Sequence, residues 1–150
     1  MEVATFAELA EEFTTRINKA VWCCLSTVDS KGRPRSRIVH PVWEGTTGWI
    51  TSRRETLKAK HIANNPHVAI AYVADVAKPV YVDGTAEWID DLAEKARVWD
   101  FLKNTPPPMG FDLGTMFPSV DAPNFGLLKI TPWRVEVATL PSSTQVWHAK

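Results

Sequence analysis

The sequence has no surplus of charge: seventeen lysines and arginines meet seventeen aspartates and glutamates across 150 residues. A chain without net charge lacks the long-range positive field that nucleic-acid binding draws on, so nucleic acid is not an expected partner. No apolar run approaches the eighteen or so residues that a membrane span requires, so no membrane is expected either. The N-terminal stretch MEVATFAELAEE is acidic and lacks the basic-then-apolar order of a secretory leader, which makes the cytoplasm the expected location. Only two cysteines occur, Cys23 and Cys24, and they are adjacent. On a strand they point to opposite faces, an arrangement that suits neither a metal chelate nor a mutual disulfide. The four histidines, His40, His61, His67 and His148, have no regularly spaced ligand partner, so no metal is expected. GxGxxG, Walker A, GxSxG and HExxH strings are all absent, which leaves the common nucleotide, hydrolase and zincin readings without an anchor.

With 45% hydrophobic and 23% charged residues the chain has an ordinary globular balance, and its length suits one domain spanning residues 1–150. Seven tryptophans and eleven prolines are the compositional outliers. Thr5 and Glu8 have capping-box spacing, and Phe6, Leu9, Phe13 and Ile17 follow at helical spacing to a stop near Ala20. VWCCLSTV, PRSRIVHPVW, GWITS, HVAIAYVA, VYVDGTAEWI and LLKITPWRVEVATL read as six strands, the first three as an antiparallel meander. HVAIAYVA is nearly all apolar, which predicts burial of both its faces. Residues 55–64 and DDLAEKARVWDFLK are predicted helices, the second capped by Asp90 or Asp91. The proline-rich segment from Asn104 to Phe125 is the longest irregular stretch and a candidate lid. Helices inserted among antiparallel strands point to a mainly β, α+β fold, a small barrel with peripheral helices.

Chemistry concentrates between residues 33 and 60. Arg33, Arg35 and Arg37 occupy one strand, and Thr51, Ser52 and Arg53 sit where the next strand runs out. Thr56 and Lys58 open the following helix. Hydroxyl donors, fixed cations and the free N–H groups of a helix start together describe a seat for a phosphate dianion.

The ordered runs RSRIVHPVW, GWITSRRETLKAKHIANNPHVAIAY and VYVDGTAEWIDD resemble the pyridoxamine 5′-phosphate oxidase-like, FMN-binding split-barrel superfamily, over about residues 5 to 140. The resemblance implies a six-stranded antiparallel split β-barrel with peripheral helices, working as a homodimer with the cofactor at the subunit interface. It implies an FMN-dependent oxidoreductase acting on a small molecule. Arg37, Ile38 and Val39 would line the flavin ring and ribityl chain, and Thr51, Ser52 and Arg53 would continue toward the phosphate. Thr56 and Lys58 would bind the phosphate itself, while Trp43, Trp133 or Trp147 would stack near the ring from one subunit or the other. Leu57 and Val42 replace an arginine and a lysine of the oxidases proper, and the tail LPSSTQVWHAK lacks their substrate-gripping segment. Pyridoxamine phosphate oxidation itself is therefore not expected. F420 is the alternative cofactor, with Arg33, Arg35, Arg54 and Lys60 available to its anionic tail. A flavin or haem carrier without turnover is the non-enzymatic alternative.

Overall fold

The computed structural model describes residues 1–150. At its start the Glu8 carboxylate accepts the Thr5 backbone N–H at 2.8 Å, as the capping-box spacing predicts. A 3-10 turn over Phe6–Glu8 leads into α1, Ala10–Ala20, whose Phe13 and Ile17 are buried. The strands are β1 (Glu2–Val3), β2 (Cys23–Val28), β3 (Pro34–Val39), β4 (Val42–Glu44), β5 (Thr47–Arg53), β6 (His67–Tyr72), β7 (Val80–Ile89), β8 (Phe125–Thr139) and β9 (Ser143–His148). Between them lie α2 (Leu57–Asn64) and α3 (Leu92–Asn104). Asp91 caps α3 by accepting the Glu94 N–H at 2.9 Å.

Nine strands replace the six expected, for three local reasons. His40 and Pro41 break the second predicted run into β3 and β4; proline supplies no ladder donor there. The C-terminal tail folds back on the far half of β8 as β9, from Arg134↔His148 to Thr139↔Ser143. Residues Glu2 and Val3 then add to β9 in parallel. The expected meander is likewise two separate hairpins, β2–β3 and β4–β5, because no ladder joins β3 to β4. β6 is not buried on both faces: Val68, Ile70 and Tyr72 point inward, whereas His67 and Ala69 are exposed. The small alanine side chains made this strand look more buried than it is.

The strand with both faces covered is β8. Its Leu128 and Ile130 belong to the barrel interior, with Leu25, Val39, Ile50, Ile70, Val82 and the α1 residues Phe13 and Ile17. Its Phe125 and Leu127 face the other way. They pack with Trp49, Val98, Leu102, Leu113 and Phe117 in a second apolar cluster beneath α3 and the 105–124 segment. Period-two alternation along a single strand thus serves two cores. The proline-rich segment is held by Leu113, fully buried, and by Phe117. It is a packed wall, not the free lid its length and prolines suggested.

The barrel is open along one seam. β3 pairs only with β2, and Thr51–Arg53 of β5 pair only with β8. Each therefore leaves one strand edge without a ladder partner, and the cleft described below takes its walls from both.

Candidate functional site

Strand edges must find partners for their N–H and C=O groups, so an open seam flanked by polar side chains is the natural place for a ligand. A cleft of about 460 Å³ lies here, within the size range of small-molecule sites. Ile38, Val39 and His40 come to it from the end of β3, Thr51 and Ser52 from β5, and Lys58 from the first turn of α2. Trp22 closes one side, and Phe111, Thr115 and Met116 of the packed wall close the other. The cleft is two-ended in chemistry, with hydroxyls and a cation around Ser52 and Lys58, and rings and aliphatic groups around Trp22, Ile38 and Met116.

The polar end is built on α2. Thr56, in extended conformation, occupies the N-cap position. Its Oγ1 is buried and has no hydrogen-bond partner. A cap hydroxyl normally accepts an N–H of the first turn, so this one is free for something else. Two residues on, Lys58 Nζ donates to Ser52 Oγ at 2.9 Å. Burial pushes the Lys58 ammonium below its ordinary pKa, and the nearby Arg37 guanidinium adds to the effect. Arg37 Nη1 donates to Thr27 Oγ1 at 2.8 Å, and Thr27 Oγ1 lies 2.9 Å from Nδ1 of the buried His61 on α2. This chain of three ties β3 to β2 and α2 and holds a cation next to Lys58.

The partners of the arginines are informative. Arg16, Arg33, Arg35, Arg54, Arg97 and Arg134 each lie against a carboxylate. Arg37 and Arg53 do not, nor does Lys58. Two half-buried cations without a counter-ion are costly unless an anion joins them.

The structure gathers Ile38, Val39, Thr51, Ser52 and Lys58 around one cleft, as expected from the sequence. Arg37 and Thr56 are adjacent to it rather than lining it. Arg53 is exposed at the end of β5 and does not line the cleft. Of the tryptophans suggested for the ring, none lines the cleft of its own subunit. Trp43 donates its indole N–H to Tyr72 Oη at 2.9 Å beside the barrel core, and Trp147 packs edge-on to Phe6. Trp133 is the extra residue of a bulge in β8, opposite Asp83 and Gly84. The tryptophan that does reach the cleft is Trp22, with His40, Phe111 and Met116. The sequence signal for His40 was its place directly after the Arg37–Val39 run; nothing local marked Phe111 or Met116.

Of the extra cations offered to an F420 tail, Arg33 and Arg35 are engaged by Asp29. Arg54 stacks 4.6 Å from the Trp88 ring centroid and pairs with Asp90. Lys60 is exposed on α2.

A barrel split along one seam, with a hydroxyl- and lysine-bearing helix start opening onto that seam, defines the split-barrel class. The chain belongs to the pyridoxamine 5′-phosphate oxidase family, whose model matches residues 9–137. It is 29% identical over 126 residues to general stress protein 26 of Bacillus subtilis strain 168, covering 81% of this chain and 82% of that one. Its fold is similar to a pyridoxamine 5′-phosphate oxidase-related, FMN binding protein from Nostoc punctiforme. The TM-score is 0.74 and the identity 18%, over 97% of this chain and 93% of that one. It is also similar to a heme binding protein from Mycobacterium smegmatis, with TM-score 0.70 and 20% identity. There the match covers 97% of this chain but 59% of the longer relative.

The residues present fit the phosphate end of FMN, the cofactor named for the Nostoc relative. The orphaned Thr56 hydroxyl, the Lys58 ammonium and the N-terminus of α2 supply donors of one sign at one place, and an anion satisfies all three. No helix is long and apolar enough to cross a membrane.

Proposed function

We propose that this chain is an FMN-dependent oxidoreductase that acts on a small molecule. The observation that carries the reading is the Ser52–Lys58 contact beside the unpartnered Thr56 hydroxyl. In this reading Lys58, Ser52 and Thr56 grip the phosphate, and Thr51, Ile38 and Val39 carry the binding surface toward the apolar end. Bound flavin supplies the hydride chemistry itself. The protein's own tasks are binding, orientation and exclusion of water, which is why no acid–base constellation is required. The packed wall keeps Phe111 and Met116 over the cleft and so limits solvent there. Arg37, anchored by Thr27, adds positive potential without needing to touch the phosphate.

Titration of the purified protein with FMN, F420 and haem tests the reading. FMN should bind with micromolar or tighter affinity, and more tightly than F420, because three of the four cations offered to an F420 tail, Arg33, Arg35 and Arg54, are held by Asp29, Asp90 and Trp88. Preference for F420 or haem, or no FMN binding, overturns it.

The same reading includes a homodimer that completes the cleft. Outward-facing Ile38, Cys24, Ala71 and Tyr81 form one continuous row across β3, β2, β6 and β7. Ile38, at 66% exposed, lies in both that row and the cleft wall. Sedimentation should give twice 16.8 kDa, and Ile38→Glu should shift it toward monomer while weakening FMN. A wild-type monomer at micromolar concentration would refute the assembly.

A further inference from the structure

A second hollow, of about 430 Å³, lies along α1 and shares no lining residue with the cleft. Ala10, Phe13, Thr14, Ile17 and Asn18 line it at spacings of three and four. One stripe of α1 therefore forms a wall about 12 Å long, and the hollow is a groove. Past Asn18 the helix ends, and the turn at Val21, with φ 63°, takes the chain on to Trp22 and the cleft. Val42, Trp43 and Gly45 of the β4–β5 hairpin make a second wall, and residues 105–109 make the third.

The chemistry of the groove is of one kind. No lining residue is charged, although 23% of the chain is. The charged residues of α1, Glu11, Glu12, Arg16 and Lys19, all lie on its other faces. Phe13, Ile17, Val42 and Met109 are buried beneath the surface of the groove. Pro106, Pro107 and Pro108 have no N–H to donate, so the third wall offers an anion nothing. The polar groups are the exposed Thr14 and Asn18, and the Asn18 amide can both donate and accept. Shape narrows the ligand further. The Phe6 and Phe13 ring centroids are 5.3 Å apart at 74°, and those of Phe13 and Trp43 are 5.2 Å apart at 85°. Rings turned edge to face make a ribbed wall, which a flexible chain can follow and a flat plate cannot.

We propose that this groove is a second ligand site, built for an uncharged aliphatic chain whose hydroxyl or amide end sits at Thr14 and Asn18. The site is separate from the cleft and does not rest on the flavin reading. It gives the proline run a task that the phosphate seat leaves unexplained: residues 105–109 face the groove, and Phe111, Thr115 and Met116 of the same wall face the cleft.

Hexanol and octanol are the probes, with octanoate as the charged counterpart. Binding to the full chain is followed near neutral pH through indole N–H signals in NMR spectra, Trp43 reporting on the groove and Trp22 on the cleft. Octanol should move the Trp43 signal and leave that of Trp22 in place. It should bind about tenfold more tightly than hexanol, since each buried methylene contributes roughly fourfold. Octanoate should bind at least tenfold more weakly than octanol. Thr14→Trp, at an exposed position, should fill the groove and weaken octanol tenfold or more with the thermal midpoint unchanged. Ala10→Leu narrows the same groove from its other end and should act alike. Octanol affinity within twofold of wild type in both variants, octanoate bound as tightly as octanol, or a response at Trp22 in place of Trp43 overturns the proposal.

Discussion

Gly110→Ala should destabilise the protein by about 3 kcal/mol or more, at the upper end of what overpacking a buried site costs. A Cβ built at Gly110 falls 1.7 Å from the Thr105 carbonyl oxygen and 2.7 Å from that of Leu102. Both obstacles are backbone at the end of α3, so neither can step aside as a flexible side chain would. The neighbouring hydrogen bonds show what moves instead: Gly110 N–H donates to Pro106, and Phe111 N–H donates to the Leu102 carbonyl at 3.1 Å. Relief of the clash must pull the wall off the helix end, taking Phe111 out of the cleft. For a chain of this length the midpoint of thermal unfolding should fall by roughly 6–12 °C. Gly114→Ala is the control, since its nearest obstacle is the Asp112 side chain at 3.1 Å; it should change stability by about 0.5 kcal/mol or less. Equal midpoints for the two variants in a thermal scan would show that the wall is not docked as described.

Lys58→Ala should weaken FMN binding by about 1.5–3 kcal/mol, the span for a hydrogen bond to a charged group, or roughly ten- to 150-fold. Riboflavin, which lacks the phosphate, should bind the variant and the wild type alike. The comparison isolates the phosphate contact from any general loosening of the cleft. Arg53→Ala should leave both ligands unchanged within the monomer's own site, because that side chain is exposed beyond the cleft. The pH dependence has a definite sign. Lys58 must be charged to hold the anion, and its pKa in the free protein lies below the ordinary 10.5. FMN affinity should therefore be flat near neutrality and decline as pH rises through that depressed pKa, earlier than an exposed lysine would allow. In Lys58→Ala that alkaline decline should vanish. An unchanged FMN affinity in the variant would remove Lys58 from the site.

What the sequence made legible was whatever depended on neighbours in the chain. Thr5 with Glu8, Asp91 before α3, and the alternation in VYVDGTAEWI each report a local geometry, and each lies where its spacing placed it. The phosphate-type cluster was readable because a strand end and a helix start are close in sequence, so Thr51, Ser52 and Lys58 had to be close in space. Arg53, offered with them, is exposed at the end of β5 outside the cleft of its own subunit, and its type alone said nothing about direction. Contacts between distant segments were hidden. Phe111 comes to the cleft from a stretch that composition marked as irregular, held there by Leu113 and Phe117. Trp22 was read as part of a strand, whereas the turn at Val21 takes it out of one. The tail became β9 because β8 extends past the end of β5 and leaves an edge to cover, which nothing within QVWHAK announces.

Phe125 to Ile130 are shared property of the barrel and of the cluster under α3. Losing either side would bare the opposite flank of the same six residues to water, so the two halves have every reason to melt together. The slot between them should then behave as a cast shape: its width is set when the chain folds, and selection among ligands must come from which side chains face it rather than from how far it can gape.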